Sequence, residues 1–141
     1  LSLGGRLAEC EAAADSLLKL GLSTTVADAR FVRPLDVEML EELVSRHALL
    51  VTVEEGARGG FGSIVLHQMA ESGWLDGRVI VRTMMLPERP IAQASPDAMY
   101  RDAGRASGDI VRNCLEALGI VAPERQAGEM RAGSFEIGLV R

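Results

Sequence analysis

The sequence predicts an α/β domain in which helices cover both faces of a mostly parallel sheet. Strand-like and helical patterns alternate along the chain, so successive strands require crossover connections. One strand, predicted at Ala48–Val53, is a continuous apolar run, which is typical of a strand buried on both faces. The length of 141 residues suits a single domain.

The first half of the chain begins with Leu1–Gly5, which resembles the end of a strand. Apolar residues at helical spacing predict a helix over Arg6–Leu20, which Gly21 can end in a left-handed conformation. The β-rich stretch Thr24–Ala29 predicts a strand. Asp36 is placed to cap a second, short helix, whose apolar face consists of Val37, Leu40, Leu43 and Val44.

The second half continues the alternation after the strand at Ala48–Val53. We expect a helix near Ser63–Ser72, a strand at Arg78–Met85, a short helix between Ser95 and Gly104, and a last helix at Ser107–Leu118. Residues 1–120 form the predicted domain. The stretch Val121–Arg141 lacks sustained periodicity and is predicted to be a tail that is either loosely attached or disordered.

Composition excludes several classes of function. The chain has 15 basic and 20 acidic residues, a net charge of −5, so it offers no general attraction for nucleic acid or for an anionic membrane. No apolar run reaches the length of a membrane span and no secretory signal is apparent, so we expect a cytoplasmic protein. Cys10 and Cys114 lie in helical apolar patterns and are predicted to be reduced thiols of the core.

The other candidates for chemistry are few. His47 and His67 are the two histidines, and no neighbouring motif supplies further metal ligands. No serine or cysteine is marked as a nucleophile beside either of them. Arg30 and Arg33 could contact an anion or a partner domain, although a solvated surface explains them as well.

The unusual feature is the segment "VTVEEGARGGFGS" at Val51–Ser63. A loop from a parallel strand into a helix lies where such folds bind ligands, because helix amides and the helix dipole point there. The glycine spacing is that of neither a phosphate-binding loop nor a good dinucleotide fingerprint. Close packing and a sharp turn also explain the glycines, so the candidate interface or anion-binding residues are Glu54, Glu55, Gly56, Gly59, Gly60, Phe61, Gly62 and Ser63.

The two acids of this loop are adjacent. Side chains of neighbouring residues on an extended chain face opposite ways, so Glu54 and Glu55 form a poor shared-proton pair. One of them could instead cap a neighbouring helix or pair with a basic residue across an interface.

Three segments together resemble the carboxyl-terminal domain of the 1-deoxy-D-xylulose-5-phosphate synthase family of transketolase-like enzymes. They are "STTVADARFVRPLD", "LLVTVEEGARGGFGS" and "LPERPIAQASPDAMYRDAG", in the family's order, and the resemblance extends over about residues 1–119. It implies a three-layer α/β/α sandwich with about four to five strands. The segment Ile91–Ala94 departs from the family pattern, which leaves the shape of that loop open.

The resemblance implies a parent enzyme that uses thiamine diphosphate and Mg²⁺ to join a two-carbon fragment of pyruvate to glyceraldehyde 3-phosphate. The product feeds isoprenoid, thiamine and pyridoxal synthesis. Other domains of such enzymes hold the cofactor, and this chain has no GDG motif followed by a metal-binding asparagine. We therefore expect no catalytic, cofactor or metal residue here, and a scaffolding and dimer-interface role beside the amino-terminal and central domains.

Two alternatives remain. The glycine loop could form a regulatory module in which the amides of Gly60–Ser63 bind a phosphate or carboxylate. The chain could also be the related domain of a transketolase or of a 2-oxo acid dehydrogenase β subunit. Because the family's first strand precedes the segment that corresponds to Leu1, we further expect this chain to be a fragment whose sheet has an exposed edge.

Overall fold

A computed structural model describes residues 1–77 and 79–121. The predicted tail therefore lies outside the described residues, except for Val121. The elements, in chain order, are β1 (Ser2–Leu3), α1 (Leu7–Lys19), α2 (Val37–Arg46), β2 (Leu49–Glu54), α3 (Phe61–Glu71), β3 (Ile80–Met84), α4 (Pro96–Asp102) and α5 (Ser107–Ala117).

The described strands form one parallel sheet in the order β1-β2-β3. Ser2 is opposite Val53 in the first pair of strands, and Leu50 is opposite Val81 in the second. The crossovers contain helices, as the alternation of the sequence predicted. The parallel α/β architecture is thus confirmed.

The sheet differs from the expectation in its number of strands. Its described part has three strands, whereas about four to five were expected. The predicted strand Thr24–Ala29 forms only an isolated parallel bridge between Asp28 and Ser2, supported by hydrogen bonds from Ser2 N to Ala27 O and from Ala29 N to Ser2 O, each of 2.8 Å. Only Asp28 of this stretch pairs with β1, since the backbone leaves the extended conformation at Arg30, whose φ is 58°.

Helices cover both faces of the sheet. Helices α1 and α5 pack on one face, where Val53 meets a core that contains Leu17, Ile110 and Leu115. Helices α2 and α3 pack on the other face, where the core consists of Ala29, Leu40, Leu43, Val44, Leu50, Phe61, Val65 and Met69. Successive residues of β2 alternate between these two cores, as strand geometry requires, so the domain has the expected three layers.

Local signals in the sequence fix several helix ends. Asp36 caps α2, because its carboxylate accepts a hydrogen bond of 2.9 Å from the backbone N–H of Met39. Ser95 caps α4, with Pro96 in the first turn. Helix α3 begins at Phe61, two residues earlier than predicted, because a side chain outside the helix satisfies its first amides, as described below.

The two thiols occupy the first core. Cys10 on α1 and Cys114 on α5 are buried there and are not joined in a disulfide. Burial raises the pKa of both thiols above the ordinary value, so their neutral forms are favoured. Within residues 1–77 and 79–121, no helix has the length and apolar character that crossing a membrane requires.

Candidate functional site

The glycine loop connects β2 to α3 at the carboxyl edge of the parallel sheet. The backbone after β1 arrives at the same edge, because β1 and β2 are parallel neighbours with Leu3 opposite Glu54. The eight predicted site residues lie at the end of β2, in this loop or in the first turn of α3. Their side chains and amides do not converge on one point, however, and the two acids have separate environments.

Glu54 points into the protein. Its residue is 3% exposed, and its carboxylate accepts hydrogen bonds of 2.9 Å from the amide of Phe61 and 2.8 Å from the amide of Gly62. These are amides of the first turn of α3, which have no partner within the helix, and the positive end of the helix dipole also favours a carboxylate there. Glu54 therefore caps α3, which is one of the two roles considered for these acids.

The glycines make room for this carboxylate. A Cβ at Gly56 or at Gly60 would collide with Oε2 of Glu54, and a Cβ at Gly62 would lie 2.8 Å from Oγ1 of Thr52 and 3.1 Å from Cγ2 of Thr83. Gly62 thus allows α3 to approach the sheet closely. These three glycines are explained by packing.

The remaining loop residues also have structural roles. Gly59 has a φ of +94°, a conformation that glycine adopts without steric cost, and its amide donates to Oγ of Ser63 over 3.1 Å. Phe61 is 1% exposed and belongs to the core between α3 and the sheet. At the rim, Arg58 and Glu88 form an exposed ion pair of 3.3 Å.

Glu55 turns to the surface and joins two residues from other elements. Its Oε1 accepts a hydrogen bond of 2.6 Å from the hydroxyl of Tyr100 on α4 and one of 3.2 Å from Nε of Arg6. The Arg6 guanidinium also lies 3.5 Å from the centre of the Tyr100 ring, within the range of a cation–π interaction. We call Arg6, Glu55 and Tyr100 the surface triad.

The surface triad changes the titration of its members. The hydrogen bond from Tyr100 is the main reason why the pKa of Glu55 is lowered, with Gly5 and Arg6 contributing. The same hydrogen bond raises the pKa of Tyr100. Both shifts favour the state in which the phenol donates to an ionised carboxylate.

Sequence reasoning missed Arg6 and Tyr100. Arg6 follows a strand that ends at the same sheet edge as Glu55, so the rule that parallel strands end together could have identified it. Tyr100 reaches the edge from a short helix, 45 residues after Glu55 in the chain, and the sequence contains no local signal for that contact.

The chemical capacity of this edge is limited. The amides of Phe61 and Gly62 already bind Glu54, and the two acids have different partners, so neither a free phosphate cradle nor a shared-proton carboxylate pair is present among residues 51–63. In the described part of the chain, no group of three or more histidine, cysteine, aspartate or glutamate side chains could hold a metal ion.

The other candidates lie apart from this edge. His47 Nδ1 is 2.8 Å from the carbonyl of Leu43, and its Nε2 is 2.9 Å from Oγ1 of Thr25. His67 is exposed and lies 3.2 Å from Glu71. Arg30 and Arg33 are both exposed, and Arg30 adopts a positive φ of 58°.

Comparison with known proteins decides the family. The family model of the transketolase C-terminal domain matches residues 1–110. The chain belongs to the transketolase C-terminal domain family. A curated relative, 1-deoxy-D-xylulose-5-phosphate synthase 2 of Jannaschia sp. (strain CCS1), is 52% identical over 120 residues, which are 85% of this chain and 19% of the relative.

A solved structure supports the same assignment. A chain described as "Split gene transketolase, inactive beta4 tetramer" superposes with a TM-score of 0.73 and 26% sequence identity, over 84% of this chain and 38% of that chain. This transketolase C-terminal domain therefore spans well under half of each of these two proteins, and about a fifth of the curated synthase.

Proposed function

We propose that this chain acts as the carboxyl-terminal domain of a 1-deoxy-D-xylulose-5-phosphate synthase and that its role there is structural. The observation that carries the proposal is the 52% identity to such a synthase over 120 residues, which extends beyond the family match to residues 1–110. The contacts of Glu54 support it, because this buried acid caps a helix of its own domain.

The parent enzyme would use thiamine diphosphate and Mg²⁺ to condense pyruvate with glyceraldehyde 3-phosphate, and would supply precursors of isoprenoids, thiamine and pyridoxal. The residues described here do not fit a diphosphate. The helix amides that could receive it bind Glu54, and Glu54 would repel a second anion. We therefore assign the cofactor to the other domains of a cytoplasmic parent and derive no step of the reaction in this chain.

The surface triad is the part of the loop region that we assign to a domain or dimer interface. The side chain of Glu55 is 37% exposed, so another surface can reach it, whereas Glu54 at 3% exposure contributes only by holding the loop in shape. Arg6, Glu55 and Tyr100 already hold each other in one arrangement, so a partner would lose little side-chain entropy by binding them. The partners would be the amino-terminal and central domains or the second subunit.

The test is an assay of the purified 141-residue chain. With pyruvate, glyceraldehyde 3-phosphate, thiamine diphosphate and Mg²⁺, we expect no deoxyxylulose phosphate above the enzyme-free rate, since the proposal assigns the cofactor and the catalytic residues to other domains of the parent. The Jannaschia synthase, assayed in parallel, is the positive control. Turnover by the chain alone would show that the structural role is wrong.

A further inference from the structure

A second polar region lies away from the glycine loop, beside the carboxyl end of β3. It is a cavity of about 190 Å³ between that strand end and helix α5. Its polar lining consists of Thr83, Arg105, Asp109, Arg112, Asn113 and Glu116. None of these residues takes part in the surface triad or in the capping of α3.

The backbone holds Arg105 firmly at this cavity. Helix α4 ends with Gly104 in a left-handed conformation, φ +68°. The amide of Gly104 donates to the carbonyl of Arg101 over 3.1 Å, and the amide of Arg105 donates to the carbonyl of Tyr100 over 2.8 Å. These two bonds form the Schellman arrangement of a helix end. Because α5 begins directly afterwards at Ser107, Arg105 is fixed from both sides.

The two arginines of the cavity differ in their partners. Asp109 accepts hydrogen bonds from Arg112 and from the backbone amide of Ala106, so Arg112 has a carboxylate partner. Arg105 is half-buried, and within residues 1–77 and 79–121 no carboxylate lies within ion-pair distance of it. Its side chain makes one hydrogen bond in that part of the chain, from Nη1 to the carbonyl of Gly104 over 2.8 Å.

Two polar atoms at the cavity are unsatisfied. Nε of Arg105, a donor, and Oδ1 of Asn113, an acceptor, are buried and have no hydrogen-bond partner among the described residues. A buried polar group without a partner destabilises the fold, and a ligand that supplies the missing partner removes this cost. Burial also lowers the pKa of Arg105, although the carboxylates of Asp109 and Glu54, which are too far away for an ion pair, act in the opposite direction.

From this arrangement we propose that the cavity binds a small carboxylic acid that carries a hydrogen-bond donor next to its carboxylate. Since Nη1 is engaged with Gly104, the Nε and Nη2 side of Arg105 remains for the carboxylate, the side on which two parallel bonds can form. A neighbouring hydroxyl or ammonium group donates to Oδ1 of Asn113. The ligand reaches the buried Nε through a small adjustment of the Arg105 side chain that keeps the hydrogen bond from Nη1 to the carbonyl of Gly104.

The charge of the cavity selects among anions. Arg105 and Arg112 contribute two positive charges, and Asp109 and Glu116 contribute two negative ones, so the lining as a whole is neutral. A phosphate, with its higher charge, gains from Arg105 but is repelled by two carboxylates, whereas a carboxylate carries a single negative charge. We therefore expect a carboxylate to bind better than inorganic phosphate.

The experiment is an NMR titration of the ¹⁵N-labelled chain, followed through the Nε–H signal of Arg105. We expect glycolate, which has a hydroxyl beside its carboxylate, to shift this signal in a saturable manner at millimolar concentrations. Acetate should bind more weakly and phosphate more weakly still. Acetate also represents a protein side-chain carboxylate, so binding of acetate as tight as that of glycolate would overturn the proposal of a free hydroxy or amino acid.

Two variants and a matched control complete the test. Arg105→Gln should weaken glycolate binding at least about tenfold, the effect of losing one charge-assisted pair. Arg101→Gln, the same change at an exposed residue of α4 outside the cavity, should leave it within about twofold. Backbone amide signals near Asn113 report binding in these variants.

The second variant keeps the proposal testable if Arg105→Gln does not fold. Asn113→Leu removes the acceptor and should abolish the preference for glycolate over acetate while acetate still binds. The proposal is overturned if glycolate produces no saturable shift, or if phosphate binds as tightly as glycolate. It is also overturned if Arg105→Gln, once folded, binds glycolate as well as Arg101→Gln does.

Discussion

Replacing Glu54 with glutamine perturbs the centre of the glycine loop with almost no change in volume. The carboxylate of Glu54 is buried and accepts hydrogen bonds from Phe61 N and Gly62 N. Glutamine retains one acceptor oxygen, so one of the two amides keeps a neutral hydrogen bond. The other amide then faces the NH₂ group of glutamine, which is a second donor, and the favourable interaction with the helix dipole is lost as well.

The magnitude follows from these contacts. A hydrogen bond to a charged group contributes about 1.5–3 kcal/mol, and a buried donor left without an acceptor costs about 1–3 kcal/mol. Since these two effects overlap at one amide, we expect Glu54→Gln to lower the free energy of unfolding by about 2–4 kcal/mol. That is a large part of the stability of a small domain.

Urea denaturation provides the assay, because the single tryptophan, Trp74, packs against the core beside α3 and its fluorescence reports unfolding. Glu42→Gln is the matched control. Glu42 pairs with Arg46 over 2.9 Å on the surface of α2, with both side chains more than half exposed, so its loss should cost less than about 0.5 kcal/mol. Equal losses in the two variants would refute the capping role of Glu54.

Two further predictions concern neighbouring features. Gly62→Ala should destabilise the domain by about 1–3 kcal/mol in the same urea assay, since its Cβ would press on Thr52 and Thr83. The control is Gly108→Ala, which also changes the second residue of a helix but has open space around it, and it should be neutral or stabilising by up to about 1 kcal/mol. A similar loss of stability in both variants would contradict the close approach of α3. Tyr100→Phe should reduce stability near neutral pH. Because the folded pKa of Glu55 is below its ordinary value of 4.5 and that of Tyr100 is above its ordinary value of 10.0, the difference from the unmodified chain should shrink as pH falls below 4.5 or rises above 10.0. Thermal melts across pH would show it, and a difference that is independent of pH would count against the hydrogen bond.

The sequence was sufficient for the features that depend on local patterns. Apolar periodicity predicted α1, α2, α3 and α5, and apolar runs predicted β2 and β3. The Ser95–Pro96 start and the Gly104 stop predicted α4, and the capping role of Asp36 followed from its position before an apolar helix. The alternation of elements predicted the parallel sheet. The strand at Thr24–Ala29 was wrong as a continuous strand, because only Asp28 pairs with β1 and the extended backbone ends at Arg30.

In the candidate site, too, the sequence was sufficient for local features and insufficient for those that depend on tertiary packing. The position of the glycine loop and the separation of Glu54 from Glu55 followed from strand geometry. Which acid turns inward did not, because this depends on how closely α3 approaches the sheet at Gly62. The surface triad was missed because Tyr100 meets Glu55 only through tertiary packing. Likewise, Arg105 carries no sequence signal, since its lack of an ion-pair partner among the described residues depends on the partners of Asp109.

The central claim, that this chain is the structural carboxyl-terminal domain of a 1-deoxy-D-xylulose-5-phosphate synthase, is tested most directly by a domain exchange. The 120 matching residues of the Jannaschia synthase would be replaced with those of this chain, and formation of deoxyxylulose phosphate would be measured. We predict that the chimera remains active to within about tenfold of the parent, the equivalent of 1.4 kcal/mol. A chimera that folds and has the parent's oligomeric state but forms no product would contradict the claim.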